Sequence, residues 1–195
     1  MANPCDMTDA ELVDALKRKR AAVVHFSHHS DMRRGVAFPG DLVNSIANKD
    51  DWSLCCHVVW PGHGMDLVGS VGLIFDVTST SQVLRVRNDD AGSWELPNGS
   101  VDSLGVPLSK NSFDDTFSPV GAYNEWRVRG ANVVGIFVAV PENIYVRKYL
   151  VRGEGELRWE GIGKDPISFE EVASEFSDQD IYTIGPAGLK LLRGK

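Results

Sequence analysis

Two sets of residues have the types and settings that chemistry needs. All five histidines lie in the first third of the chain, at His25, His28, His29, His57 and His63. A carboxylate, Glu125, opens the segment Asn124-Glu125-Trp126-Arg127-Val128, between a loop-like stretch and the apolar run Val133–Val140. A structural zinc site needs four ligands, with sulfur ligands supplied from spaced pairs. Cys55 and Cys56 are adjacent, so their sulfurs are hard to aim at one ion, and no metal is expected. His25 closes the apolar run Val23-Val24-His25-Phe26, where an imidazole either satisfies the core or lines a site. A carboxylate beside a tryptophan is costly to bury unless it is paired or used. Arg127 shares the strand face of Glu125 at i+2 spacing, so a paired surface glutamate is the alternative reading.

The elements that hold these residues can be read from pattern. Thr8-Asp9-Ala10-Glu11 is a capping box, and Leu12, Val13 and Leu16 recur at helical spacing, which predicts a helix over 9–20. Residues 21–26 form a short apolar run predicted to be a buried strand. Gly35 is a plausible helix stop. Pro39-Gly40-Asp41 opens a second helix, with Leu42, Val43 and Ile46 on one face. Strands are predicted at 54–60, ended by Pro61-Gly62, and at 70–77 and 82–86, split by Thr78-Ser79-Thr80-Ser81. Residues 88–112 read as a long loop and 113–117 as one helical turn. Strands follow at 125–128, 133–140 and 144–151, then a turn at 153–155, a Ser168-capped helix and a last strand at 181–184. The expected fold is α+β: one domain over 1–195, with N-terminal helices on a mixed or antiparallel sheet.

Composition narrows the partners. At 195 residues the chain is sized for one substantial core. It has no apolar run near the ~20 residues of a membrane span, and its acidic start lacks a secretory leader's apolar segment. A cytoplasmic protein without a membrane partner is expected. Three cysteines without a spaced framework argue for buried thiols over a disulfide scaffold. A net charge of −7 makes the chain a poor general nucleic-acid binder, since such binding depends on basic residues displacing phosphate counterions. Local basic pieces remain: Lys17-Arg18-Lys19-Arg20, Arg33-Arg34, Arg85 with Arg87, and Arg127 with Arg129.

His25-Phe26-Ser27-His28-His29-Ser30-Asp31-Met32, followed by Gly35, resembles the opening motif of DarT-type ADP-ribosyltransferases. In that family a strand ends in His, a nonpolar residue and Thr, and an Asn and a Gly come soon after. Leu54–Pro61 resembles the family's second strand, and Asn88–Ser93 the loop after its central strands. Asp114–Phe117, Asn124–Val128 and Val134–Val138 resemble its closing pattern. The pieces span roughly residues 22–140.

The resemblance implies a split sheet of ADP-ribosyltransferase type, with NAD consumed as a substrate. Glu125 takes the position of the catalytic glutamate. His25 and Ser27 take NAD-contacting positions, and Asp31 falls where the family has Asn. The arginine that grips the NAD phosphates has no counterpart, since no Arg lies between Arg34 and Arg85. His63 stands in the nearest segment, and Arg33 and Arg34 are alternative sources of charge. The implied acceptor is a base in single-stranded DNA or RNA. The implied setting is a toxin or phage-defence effector opposed by a macrodomain or other antitoxin. The strings Thr78–Ser81 and Glu154-Gly155-Glu156 imitate motifs of protein-modifying relatives, but are read as a turn and a solvated acidic turn. A catalytically inactive NAD-binding module, or an interaction protein using Trp94, Trp126 and Trp159 at its surface, are the readings from other classes.

Overall fold

The computed structural model describes residues 5–27, 40–64, 69–87, 105–118, 124–152 and 158–195, with backbone alone for 147–152 and 158–163. The described elements are α1 (Asp9–Lys19), β1 (Ala22–Phe26), α2 (Gly40–Asn48), β2 (Leu54–Val59), β3 (Val71–Asp76), β4 (Val83–Arg87), α3 (Lys110–Thr116), β5 (Glu125–Val128), β6 (Asn132–Val138), β7 (Tyr145–Arg152), β8 (Arg158–Pro166), α4 (Phe169–Glu175), β9 (Ile181–Gly185) and β10 (Gly188–Arg193). Eight strands form one sheet in the order β10-β9-β6-β3-β1-β2-β5-β4, while β7 and β8 pair as a separate ribbon. Only β6 and β9 run parallel, so the sheet is mixed and mostly antiparallel, as the α+β reading expects.

The capping box at Thr8 forms, with Glu11 reaching back to the Thr8 amide at 2.8 Å. Leu12 and Ala15 give α1 its buried stripe. The helices share one face of the sheet. Leu12 of α1, Leu42 of α2, Phe113 of α3 and Val172 of α4 join Val23, Cys56, Val58, Leu73, Trp126 and Ile136 in the larger core. Strand alternation sends Ala22, Val24, Phe26, Val59, Ile74 and Phe137 to the other face, where they form a smaller core. Cys55 and Cys56 therefore point to opposite faces, which is why adjacency forbids a shared ligand.

Several expectations change. The loop read over 88–112 ends early, because Ser109 caps α3 and accepts from the Ser112 amide; Val106 meanwhile pairs with Val86. β8 was not foreseen: Arg158–Pro166 carries Gly161, Gly163 and alternating charges, and it is a strand because β7 pairs along it. The strand at 181–184 is not the last, since β10 returns antiparallel to it. Trp126 is not a surface residue. It is fully buried, and its indole Nε1 donates to Thr116 Oγ1 at 3.0 Å. Asp31, Arg33, Arg34, the Gly35 stop, Trp94 and the 153–155 turn lie outside the described residues, as does the side chain of Trp159. Among the described residues no helix is long and apolar enough to cross a membrane.

Candidate active site at the split strand

The site is built around β2, which changes partner halfway. Its C-terminal half pairs with β1, from Ala22↔Val59 to Val24↔His57. Its N-terminal half pairs with β5, from Leu54↔Val128 to Cys56↔Trp126. The sheet therefore forks on both sides of β2, and each fork strips backbone groups of ladder partners that burial obliges them to replace.

At the first fork the replacement is His25. Its Nδ1 donates to the Cys55 carbonyl at 2.7 Å, and its Nε2 lies 3.1 Å from Ser45 Oγ on α2. Desolvation lowers the imidazole's pKa, opposed by the Cys55 carbonyl and the Asp41 carboxylate and aided by Arg127. The neutral ring with its proton on Nδ1 leaves Nε2 an acceptor. Ser45 has one hydroxyl proton for two acceptors, His25 Nε2 and the Asp41 carbonyl at 3.0 Å. Ser27, just past β1, donates to Asp41 Oδ2 at 2.6 Å. β3 crowds this end of β1: a Cβ on Gly72 would sit 2.6 Å from the His25 carbonyl oxygen and 2.7 Å from Val24 Cγ1. Glycine is what allows the backbones so close.

At the second fork the replacement is Asn124. Its Oδ1 accepts from the Val58 amide at 2.7 Å and its Nδ2 donates to the Val58 carbonyl at 2.9 Å. A side-chain amide thus copies one rung of a ladder. His57 Nδ1 donates to the Asn124 carbonyl at 2.5 Å.

Glu125 stands between the forks. It opens β5, opposite Arg87 of β4, on the face opposite Trp126. Its side chain is only 4% exposed, and Oε1 lies 3.2 Å from Arg127 Nε. The pairing with Arg127 is what the alternative reading of a paired surface glutamate expects; the surface location is not, because Glu125 is buried. The carboxylate also meets Cys55, whose thiol is pushed far up, first by burial and then by the Glu125 charge. His25 leaves β1 on the helical face, opposite Leu73 and against Ser45, whereas Glu125 leaves β5 on the other face of the sheet. The two side chains do not share a face, and each touches a different part of Cys55, His25 its carbonyl and Glu125 its thiol. Asp41, Ser45, Asn124 and Cys55 were not among the sequence candidates. Only Asp41 carried a signal, as the acid in the first turn of α2.

No protein-family model, curated protein or solved structure matches the chain.

His63 is apart from this cluster. It stacks on Trp60 with ring centroids 3.5 Å apart and planes 13° apart. Neither ring nitrogen has a hydrogen-bond partner among the described residues. Burial lowers its pKa to about 4, so near neutral pH it brings no positive charge to a phosphate. Among the described residues no group of three or more His, Cys, Asp or Glu could hold a metal. A cavity of about 310 Å3 between α1 and α3 is lined by Glu11, Lys110 and Phe113, among others. It lies on the helical face and includes neither His25 nor Glu125. The Thr78–Ser81 string is accounted for structurally: Ser79 caps a single 3₁₀ turn, and the Thr80 amide donates to Asp9 at 2.7 Å.

Proposed function

We propose that the chain is an ADP-ribosyltransferase, taking NAD as donor and a base of single-stranded nucleic acid as acceptor. The observation that supports this reading is that His25 and Glu125, although they leave the sheet on opposite faces, both reach Cys55, one at its carbonyl and the other at its thiol, where β2 changes partner. A buried acid and a neutral imidazole at the mouth of a split in a sheet can grip a ribose and answer the charge that develops on it. A ribose hydroxyl can donate to His25 Nε2 in place of Ser45, whose hydroxyl then turns to the Asp41 carbonyl alone. Glu125 faces the carbon that becomes cationic as the bond to nicotinamide lengthens and its electron pair leaves with the nicotinamide. The acceptor nitrogen or oxygen then bonds that carbon and loses its proton, with Glu125 as the base. His63 supplies no charge for the diphosphate, which leaves Arg33 and Arg34 as its candidate partners. The resemblance to DarT-type enzymes adds the acceptor class and, with it, an opposing antitoxin.

The test is NAD labelled on its adenylate phosphate, incubated with single-stranded DNA, RNA or protein. Label should pass to a nucleic acid with the wild type and not with Glu125→Ala. Equal labelling by that variant would remove Glu125 from the reaction. A second reading has one observation in its favour: both nitrogens of His25 already have partners, as in a module that binds NAD without turning it over. NAD binding by calorimetry with no nicotinamide release would decide for it.

A further inference from the structure

A chain with a net charge of −7 can hold a phosphate only where it gathers cations locally. Strands β2, β5 and β4 gather two of them on the face away from the helices. Val86, Trp126, Val128 and Cys56 belong to the helical core, so strand alternation sends Arg85, Arg127 and Cys55 the other way. The ladders set these three in one row across the strands: Cys55 stands opposite Arg127, and Arg127 opposite Arg85. Glu125 shares their face, two residues before Arg127 on β5.

The row carries a conflict. Like charges directly opposite on a ladder destabilise it, and a partly buried charge without a counter-charge adds to that. Glu125 answers one of the two guanidiniums. Its Oε1 lies 3.2 Å from Arg127 Nε, on a side chain that is 19% exposed. Arg85 is also half-buried. Among the described residues its guanidinium has one partner, the carbonyl of its neighbour Leu84 at 3.2 Å. Leu84 is the extra residue where the β4–β5 register shifts. A guanidinium presents five N–H donors in a planar fork, so both arginines keep donors that the protein does not use.

The far side of β4 leaves room beside Arg85. Val106 pairs there with Val86, which brings Gly105 against the Arg85 stem: a Cβ on Gly105 would sit 3.4 Å from Arg85 Cβ. Its φ of +116° reserves the position for glycine, and so no side chain is added over Arg85 at that point.

We propose that Arg85 and Arg127 form an anion site for a phosphate or diphosphate ester beside Glu125. Guanidinium forks match pairs of phosphate oxygens, and the bound anion supplies the counter-charge that Arg85 lacks. The inference rests on the transferase reading only for the molecule that brings the phosphate. The diphosphate of NAD and the backbone of an acceptor strand present the same chemistry.

The experiment is calorimetric titration of the full chain with inorganic pyrophosphate, alone and in competition with ADP-ribose or oligo(dT), beside thermal melts without ligand. Pyrophosphate should bind Arg85→Gln about tenfold more weakly than the wild type, the scale of one charge-assisted hydrogen bond. Arg85→Lys keeps the charge without the fork and should fall between them. Without ligand, Arg85→Gln should melt at or above the wild-type temperature, because the opposed pair is gone. Displacement of pyrophosphate by ADP-ribose traces the site to the donor, and displacement by oligo(dT) traces it to the acceptor. Displacement by neither would overturn the proposal, as would equal pyrophosphate affinity in Arg85→Gln and the wild type. So would a lower melting temperature of ligand-free Arg85→Gln, since Arg85 would then be serving the fold. Arg85-dependent binding of pyrophosphate by a chain that never releases nicotinamide from NAD would keep the site and remove the transferase reading. Nicotinamide release by a chain whose pyrophosphate binding ignores Arg85 would do the reverse.

Discussion

The two forks flanking β2 solve one problem in different ways. Where β5 parts from β2, Asn124 restores the missing rung to both the Val58 amide and the Val58 carbonyl, and His57 adds a third bond from the side. Asn124 and His57 are both fully buried. This splice is closed, with donors matched to acceptors. Where β1 parts from β2, His25 restores one bond to Cys55 and leaves Nε2 competing with a backbone carbonyl for a single hydroxyl proton. Backbone satisfaction is obligatory at both forks, but at the His25 fork the arrangement is completed by a hydroxyl that can rotate between two acceptors. Glu125 reaches toward the Cys55 thiol on the opposite face of the sheet from His25. A split in a buried sheet must be sealed where nothing else satisfies its backbone, and Asn124 is the seal at the fork between β2 and β5.

The largest expected effect breaks the site without breaking the seal. Glu125→Ala should lower the rate of ADP-ribose transfer by about a thousandfold, the scale of losing a group that stabilises developing charge or moves a proton. It also strands Arg127, so a stability loss of about 1–3 kcal/mol should accompany it. Glu125→Gln keeps an acceptor oxygen near Arg127 and should recover part of that stability and none of the rate. Transfer assays paired with urea denaturation separate the two.

The converse variant is Asn124→Ala. It deprives two buried backbone groups of partners at about 1–3 kcal/mol each, for a total of about 2–6 kcal/mol of unfolding free energy, with any folded fraction keeping its affinity for NAD. Should Asn124→Ala unfold at the wild-type urea concentration, the sealed-fork argument fails.

Much of this arrangement could be read from residue pattern and part of it could not. α1, β1, β2 and β5 follow from a capping box and short apolar runs, so His25 and Glu125 could be placed at strand ends before any coordinates. The α+β class followed from the same elements. The partner change of β2 was invisible, because it depends on register between segments about seventy residues apart, and no local signal fixes register across such a distance. Asn124 was passed over for the same reason: an asparagine before a strand reads as a turn residue until its pairing with Val58 is seen. Trp126 was misread because its neighbours Glu125 and Arg127 made the segment look solvated, although alternation requires the residue between them to face the other way. β8 was hidden by its glycines, which weaken strand propensity without preventing pairing to β7.

A smaller effect sharpens the comparison at the other fork. His25→Ala removes the bond to the Cys55 carbonyl and should cost about 1–3 kcal/mol, with NAD affinity reduced about tenfold, equivalent to about 1.4 kcal/mol. The ratio is the informative quantity. At the His25 fork the loss in ligand binding should be comparable to the loss in stability, whereas at the Asn124 fork stability alone should suffer. Calorimetric titration with NAD beside urea denaturation reads both.

The smallest effect is in pH. Burial depresses the pKa of His25 and takes that of His63 from 6.5 to about 4. Both rings are therefore harder to protonate folded than unfolded. As pH falls below 6.5 the unfolded chain binds protons that the folded chain refuses, so stability drops through that window. For His63 the drop ends near pH 4. The half-buried His63 contributes under about 1 kcal/mol once solvent screening is allowed for. His63→Phe keeps an aromatic ring on Trp60 and should flatten only that part of the profile. Above about pH 5 the remaining slope includes His25, where Asp41 favours the protonated ring and burial and Arg127 oppose it; below that the capping carboxylates Glu11 and Glu171, whose pKa values are lowered by the backbone amides they accept from, add a loss of the same sign. NAD contacts at Nε2 that need an acceptor nitrogen should weaken over the same descent as the ring gains its second proton. A urea midpoint that stays level from pH 7 to pH 5 in His63→Phe would mean that the fold does not hold the His25 ring neutral, and Nε2 would then not be the acceptor that the NAD contact at this fork requires.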